Sequence, residues 1–358
     1  MESNNSFAPK PQEGEPWDVV IIGSGPAGLT AAIYTTRGAV STLLLAGEKW
    51  GGQLMLTTTV DNYPGFPEGI EGPELMMRMR KQVERFGTEI LEANVDGVDF
   101  EKKPFEIAAG GKIYYAKSIV IATGADTRWM GVPGEEKLRG RGVSSCAPCD
   151  APFFKDKKVI VVGGGDSAME EALVLTKYSP QVTMIHRRNE FRASKAMQKK
   201  VFNKEKEGKL RVIWDTEVLE VLGEQVISAV KLRTKAGSEQ IKKIRENLAD
   251  YQGKILEENS DAIVWEMPTE GLFVAIGHTP ATQAFSKNNL SRSGGIEMDE
   301  KGYIVVHDGA KTNVRDGVFV AGDVHDYTYR QAVTAAGYGC QAGMQALKYL
   351  DELEDKKE

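Results

Sequence analysis

WDVVIIGSGPAGLTAAIYTTRG at residues 17–38 and KKVIVVGGGDSAMEEALVLTKY at residues 157–178 follow one pattern: a short β-branched run, a glycine cluster, then a helical stretch. The clusters begin at Gly23 and Gly163, 140 residues apart. Val19 to Ile22 and Val159 to Val162 contain no polar residue, as strands buried on both faces of a parallel sheet require. Ala27 to Thr36 and Asp166 to Tyr178 are expected as helices, the first ending near Gly38. Each copy then runs into a second apolar strand, STLLLA at 41–46 and QVTMIH at 181–186, completing a βαβ unit. The expected fold is α/β, with two Rossmann-like, three-layer ββα nucleotide-binding domains.

Working outward, KLRVIWDTEVLEVLGEQVISAVKLRT at 209–234 reads as a small sheet packed on the second domain. Residues 237–262 are densely charged and read as a solvated excursion between strands. EGLFVAIGHTP (270–280) and DGVFVAGDV (316–324) supply further strands, and a closing helix is expected from Arg330 to Leu350. The first domain is therefore expected to be discontinuous, 17–128 and 269–350 flanking an inserted 129–268, with a disordered tail at 1–16 and a charged tail at 351–358.

A chain of 358 residues exceeds what one core usually organises. Hydrophobic residues are 41% and charged residues 27%, and no apolar run approaches a membrane span, so a soluble chain is expected. The first sixteen residues lack an apolar core of the kind export signals carry. A net charge of -6 argues against nucleic-acid binding. Of three cysteines, two form Cys146-Ala147-Pro148-Cys149, which suits redox chemistry in a reducing compartment better than a stapled secreted fold; cytoplasm is the expected location.

In the first glycine cluster Gly23 permits the tight turn, Gly25 lets the backbone approach a pyrophosphate, and Gly28 lets the helix pack on the strand. Glu48, twenty residues past Gly28, stands where a carboxylate accepts ribose hydroxyls. The second cluster places Gly163, Gly165 and Ala168 in the same roles, with Asp166 and Ser167 at the helix start. Its second strand ends on His186-Arg187-Arg188, with Arg192 following, and no acid. Guanidinium groups there bind a 2′-phosphate that a carboxylate would repel, which selects NADPH over NADH. A ligand-free glycine turn and a solvated basic turn are the bland alternatives.

Two cysteines at CxxC spacing can close a disulfide ring, and Asp150 follows as a candidate acid/base for a departing thiolate. Half a zinc site or a structural pair are the alternatives, but no second CxxC or HxxxH supplies further ligands, so no metal is expected. Cys340 reads as a buried small apolar residue.

From Trp17 to Leu350 the chain closely resembles the low-molecular-weight, bacterial-type thioredoxin reductases, which are pyridine nucleotide-disulfide oxidoreductases. The resemblance rests on GSGPAGLTAA, GEKWGGQL, DNYPGFP, IVIATGA, GRGVSSCAPCD, VVGGGDSAMEEA, HRRNEFRA, GLFVAIGHTP, VFVAGDV and YRQAVTAAGYGC, in that order. It implies that the first and last parts bind FAD, that the middle part binds NADPH and carries the CxxC, and that the chain forms a homodimer. Carried over by position, Gly23, Ser24, Gly25, Pro26 and Ala27 would cradle the FAD pyrophosphate, and Glu48, Gln53 and Asn62 would touch ribose and flavin portions. Asp323 would bind the ribityl/phosphate part, although alone it could be an ordinary helix cap. Arg330, Gln331 and Ala332 would approach the isoalloxazine. The implied reaction passes hydride from NADPH to FAD, then reduces Cys146–Cys149, whose dithiol reduces thioredoxin. Cys149 is then the flavin-facing sulfur and Cys146 the attacking one, and a large domain rotation lets one dithiol meet flavin and partner.

The chain departs from the family pattern at Pro148, where threonine is usual, at Ala151-Pro152, where glycine is usual, and in the length of 237–262. A glutaredoxin-like or peroxidase-linked acceptor, or a non-catalytic NADPH sensor, are the competing readings. A ferredoxin-driven reductase or an oxygen-using dithiol oxidase would not need the basic His186-Arg187-Arg188 cluster.

Overall fold

The computed structural model describes residues 10–237, 239–285, 295–311 and 316–356. The chain divides into two compact units, Thr127–His278 forming one and the segments on either side forming the other. The expected return crossing at 268/269 is corrected to follow His278. The strand Gly271–Val274 hydrogen-bonds in parallel with Val159–Val162, so the segment after Pro268 completes the inserted sheet instead of leaving it.

In the discontinuous unit, Trp17–Ile22 is the central strand, paired in parallel with Thr42–Leu45 on one side and Lys112–Ile121 on the other. Glu89–Leu91 extends the sheet beyond Thr42–Leu45, and Val318–Val320 pairs with Lys112–Ile121. Antiparallel strands Phe105–Ala109 and Val95–Asp99 follow. Successive side chains of a strand point to opposite faces. Val19 and Ile21 accordingly enter a core beneath the helices Pro26–Arg37, Gly72–Arg85 and Ala332–Asp355. Val20 and Ile22 enter a second core with Phe100, Phe105 and Phe285. The small residues Ala31, Ala32, Ala342 and Ala346, all fully buried, line the contact between the first and last helices.

The inserted unit repeats the arrangement. Its parallel sheet runs in the order Val143–Ser144, Gly271–Val274, Val159–Val162, Val182–Ile185, Leu210–Ile213. Val159 and Val161 pack beneath the helices Asp166–Leu175 and Lys195–Lys206. Ile160 and Val162 face an antiparallel sheet of Thr216–Gly223, Ile227–Lys235, Ala262–Pro268 and Lys254–Glu258. Two sheet layers and a helical layer result.

Three expectations are corrected. The charged stretch 237–262 is folded: Glu239–Glu246 is a helix and Lys254–Glu258 the edge strand, Ser238 lying outside the described residues. Ile241, Ile244, Leu248 and Tyr251 recur at helical spacing and pack on the inserted unit's core, a stripe that the charge density conceals. The closing helix starts at Ala332, because Arg330 has φ +48° and cannot be helical, and it continues to Asp355 through most of the expected charged tail. Cys340 is only half-buried, its sulfur 3.9 Å from Met344 Sδ, because it lies off the buried stripe Ala335, Gly339, Ala342 and Ala346. The expected disordered tail falls largely on residues 1–9, outside the described residues. Among the described residues no helix is long and apolar enough to cross a membrane.

Candidate functional site

The first glycine turn opens onto a cavity of about 570 Å³ within the discontinuous unit. Gly23 has φ +111°, and a Cβ there would stand 2.2 Å from the Ala122 carbonyl oxygen, so the turn demands glycine. A Cβ on Gly25 would meet nothing within 4 Å: its backbone faces open cavity, as close approach of a phosphate group needs. Gly28 lies behind the turn, where a Cβ would sit 1.9 Å from the Gly23 carbonyl oxygen. Ser24 is buried, donates to the Ala46 carbonyl at 2.7 Å and accepts from the Gly51 N–H at 2.9 Å, pinning the turn to the segment after the second strand.

Gly23, Ser24, Gly25, Pro26, Ala27, Glu48, Gln53, Asp323, Arg330, Gln331 and Ala332 all line this cavity. Asn62 does not; it stands behind the lining and donates to Gln331 Oε1 at 3.1 Å. The Arg330 conformation is held by Asp326, whose carboxylate accepts the N–H groups of Thr328, Tyr329 and Arg330. Asp323 is the electrostatic anomaly. Among the described residues its Oδ1 is buried without a hydrogen-bond partner, and burial, aided by the nearby Asp326 charge and opposed by Arg330, pushes its pKa up to about 7. A buried, partnerless carboxyl at a strand end facing a cavity is an acceptor prepared for ligand hydroxyls. The open backbone at Gly25 and the waiting acceptor at Asp323 together fit a dinucleotide carrying a polyol chain, as FAD does.

Sequence reasoning missed Asn94, which lines the same cavity and accepts the Glu48 N–H at 3.1 Å, and Gln283 on the opposite segment. Neither lies in a local pattern. Asp126, also in the lining, accepts from Gln53 Nε2 at 2.9 Å, immediately after the IVIATGA segment.

The second turn, in the inserted unit, is built differently. Gly165 again has open space where a Cβ would be, and Ala168 is fully buried beneath the helix. Gly163 lies on the strand end and Ser167 in the first helical turn. Asp166 accepts the Ser194 N–H at 2.9 Å, and the N–H groups of Arg192 and Ala193 donate to the Gly164 carbonyl, folding the basic segment back on the turn. Arg187, Arg188 and Arg192 are exposed, and none forms an ion pair among the described residues. His186 is separate from them: its ring is buried under Gly164, against Phe191 and Trp214. Burial, reinforced by the neighbouring arginines, holds its pKa below the usual histidine range, so a neutral ring supports the turn from beneath.

Cys146 and Cys149 are joined in a disulfide, their Cα atoms 5.3 Å apart, in the same unit as the second turn. Cys146 caps the one-turn helix Ala147–Asp150. The N–H groups of Cys149 and Asp150 donate to the Cys146 carbonyl, that of Ala147 donates to Glu171, and Pro148 has none. Asp150 is largely buried and accepts the Ser144 hydroxyl at 2.5 Å; burial pushes its carboxyl above the usual carboxylate range, and Ser144 pulls it partly back.

The family described as pyridine nucleotide-disulphide oxidoreductase matches residues 17–339. A thioredoxin reductase of Rickettsia conorii is 44% identical over 338 residues, covering 93% of this chain and 98% of that protein. One from Mycolicibacterium smegmatis is 44% identical, with 94% and 97% covered. Among solved structures, thioredoxin reductase from Giardia duodenalis superposes with a TM-score of 0.80 at 36% identity, covering 94% of this chain and 99% of that one. A disulfide between two turn cysteines, a nucleotide turn in each unit and these matches have one explanation: the chain belongs to the pyridine nucleotide-disulphide oxidoreductase family, and within it to the thioredoxin reductases.

Proposed function

We propose that this chain is an NADPH-dependent, FAD-containing thioredoxin-disulfide reductase, working through Cys146–Cys149. The observation that carries the reading is the disulfide at the start of a helical turn, followed at once by the buried acid Asp150. FAD, when bound, supplies the two-electron carrier between the NADPH hydride and the disulfide. Gly23 to Ala27 would hold its pyrophosphate through backbone N–H groups at the helix start, and Glu48 and Asp323 would accept its hydroxyls. Gln53, Arg330, Gln331 and Ala332 would line the flavin end. In the inserted unit Gly163, Gly165, Asp166, Ser167 and Ala168 form the NADPH turn, Arg187, Arg188 and Arg192 take the 2′-phosphate, and His186 supports them.

Reduction breaks the S–S bond and leaves two sulfurs that need two protons. One arrives with the hydride and Asp150 supplies the other, its raised proton affinity suiting it to the role. In the second half, one thiol of the pair gives its proton to Asp150 and its sulfur attacks the partner's disulfide, forming a mixed disulfide and releasing one partner sulfur, which takes up a proton; the remaining thiol then attacks the mixed disulfide, closing Cys146–Cys149 and passing its proton to the second partner sulfur as it leaves. Thioredoxin or a similar small redox protein is the acceptor, and a cytoplasmic homodimer is the assembly this reading implies.

The test is NADPH oxidation against a panel of thioredoxins and glutaredoxin-like proteins from the same source. Sustained turnover with a thioredoxin supports the reading. Flavin bleaching by NADPH without turnover on any acceptor points instead to a sensor.

A further inference from the structure

The backbone around the dithiol is saturated. Of the N–H groups that follow Cys146, that of Ala147 is taken by Glu171, those of Cys149 and Asp150 by the Cys146 carbonyl, and Pro148 contributes none. In other CxxC turns, free N–H donors at the helix start stabilise the thiolate. Here every one of them is engaged, so proton handling falls to side chains.

Ser144 occupies the point where those side chains meet the backbone. It is buried on the strand Val143–Ser144, its Oγ accepts the Cys146 N–H at 3.1 Å, and its hydrogen goes to Asp150 Oδ2 at 2.5 Å. One hydroxyl thus spans the ring from the residue that opens it to the acid that follows it. We propose that Ser144 is a positioning residue: it fixes the Asp150 carboxyl relative to Cys146 and stabilises its carboxylate form, so that Asp150 can release and recover the proton exchanged with the dithiol.

This rests on the acid/base role of Asp150 argued above. When Asp150 gives its proton, the resulting carboxylate keeps the Ser144 hydrogen bond; when it takes one back from the attacking thiol, that bond weakens and the proton is held. A hydroxyl donating to a carboxylate favours the charged form. Among the described residues Ser144 is the side chain that hydrogen-bonds the Asp150 carboxyl. Glu171, from the helix packed on the turn, accepts the Ala147 N–H, and the sulfurs of Cys146 and Cys149 lie in the turn itself. Among the described residues burial and Ser144 set the proton affinity of Asp150.

The experiment measures kcat, the KM for NADPH and the pH profile of thioredoxin-linked turnover in the FAD-loaded enzyme, for Ser144→Ala, Ser144→Thr, Asp150→Asn and the Ser144→Ala/Asp150→Asn double variant. Ser144→Ala is expected to lower kcat about tenfold, the loss of one hydrogen bond to a charged group, with the KM for NADPH unchanged. Its acid-base inflection moves to higher pH, because the carboxylate has lost its donor. Ser144→Thr restores both, and in the Asp150→Asn background Ser144→Ala adds nothing. A wild-type pH profile in Ser144→Ala, or an equal kcat loss in the Asp150→Asn background, overturns the inference. Should Ser144→Ala fail to fold, a wild-type profile in Ser144→Thr, with a displaced one in Asp150→Asn, upholds it, and a displaced profile in Ser144→Thr overturns it. An Asp150→Asn enzyme indistinguishable from wild type overturns the acid/base reading itself, a different result from failure at Ser144 alone.

Discussion

The two glycine turns share a backbone plan and differ in every side chain that secures it. The middle position is Ser24 in one and Gly164 in the other. Ser24 holds its turn by hydrogen bonds to the Ala46 carbonyl and the Gly51 N–H. Gly164 has no side chain, and the space that one would need is filled by the buried His186 ring. The third small position is Gly28 in one and Ala168 in the other. A Cβ at Gly28 would overlap the turn's own carbonyl, whereas the second helix stands off far enough to accommodate a methyl. One turn opens onto a cavity lined by Glu48, Asp126 and Asp323; the other presents exposed arginines. On the proposed function, the same fold element would serve a resident cofactor in one unit and an exchanging substrate in the other.

The difference between the turns is most sensitive at Gly28. Gly28→Ala would place a methyl 1.9 Å from a backbone oxygen that cannot move without unwinding the turn. The expected cost is above roughly 4 kcal/mol, the range of severe core overpacking and strain. The variant should purify without bound flavin, as read by its visible absorbance. A full flavin spectrum with an unchanged melting temperature would show that the turn is less constrained than its geometry requires.

Asp323 gives the next largest effect, and it depends on pH. In the flavin-free protein the folded carboxyl holds its proton up to about 7, while the unfolded chain releases it near the ordinary carboxylate value of about 3.9. Between these limits the folded state binds more protons, so this group makes stability fall as pH rises through that window and level off above it. Asp323→Asn removes the titration. Flavin-free Asp323→Asn should therefore melt higher than wild type at pH 8 and not at pH 4, by at most roughly 4 kcal/mol. With FAD bound the ranking reverses, because the amide is a poorer acceptor for the ligand's hydroxyls. A variant that is no more stable than wild type at either pH would remove Asp323 from the comparison.

On the second turn, Arg187→Ala with Arg188→Ala tests the basic wall. Two charge-assisted contacts at an exposed site, about 1 to 1.5 kcal/mol each, predict a rise in the KM for NADPH of about 30- to 150-fold. The KM for NADH should hardly move. An equal rise for both nucleotides would mean that the arginines shape the turn without reading a 2′-phosphate.

Local chemistry governs what was legible in the sequence. Both turns, their strands and the CxxC were readable because glycine spacing and apolar runs act over a few neighbouring residues. Asn94 and Gln283 were not, because each reaches the first cavity from a segment whose own pattern carries no ligand signal. His186 was grouped with its basic neighbours, yet the fold turns it inward and leaves the arginines outside. In the stretch 237–262 charge density masks the spacing of Ile241, Ile244, Leu248 and Tyr251, so the sequence reads as a solvated excursion. The last strand of the inserted sheet, Gly271–Val274, is not legible as part of that unit because strand pairing across more than a hundred residues leaves no mark in a local window.

The smallest effect should come from the mirror substitution, Ala168→Gly, and it tests the comparison most finely. Ala168 is fully buried, so losing its methyl forfeits about 0.8 kcal/mol of burial, and glycine in a helix adds about 1 kcal/mol. A drop in stability of about 2 kcal/mol is expected, with the KM for NADPH unchanged within about twofold. The physical point is the direction of tolerance. The first turn rejects the alanine that the second already contains, because its helix N-terminus is drawn against the Gly23 carbonyl, while the second accepts the glycine at the cost of packing alone. If Ala168→Gly raised the KM for NADPH tenfold, the methyl would be setting the stand-off between helix and strand, and the second turn would prove as finely tensioned as the first.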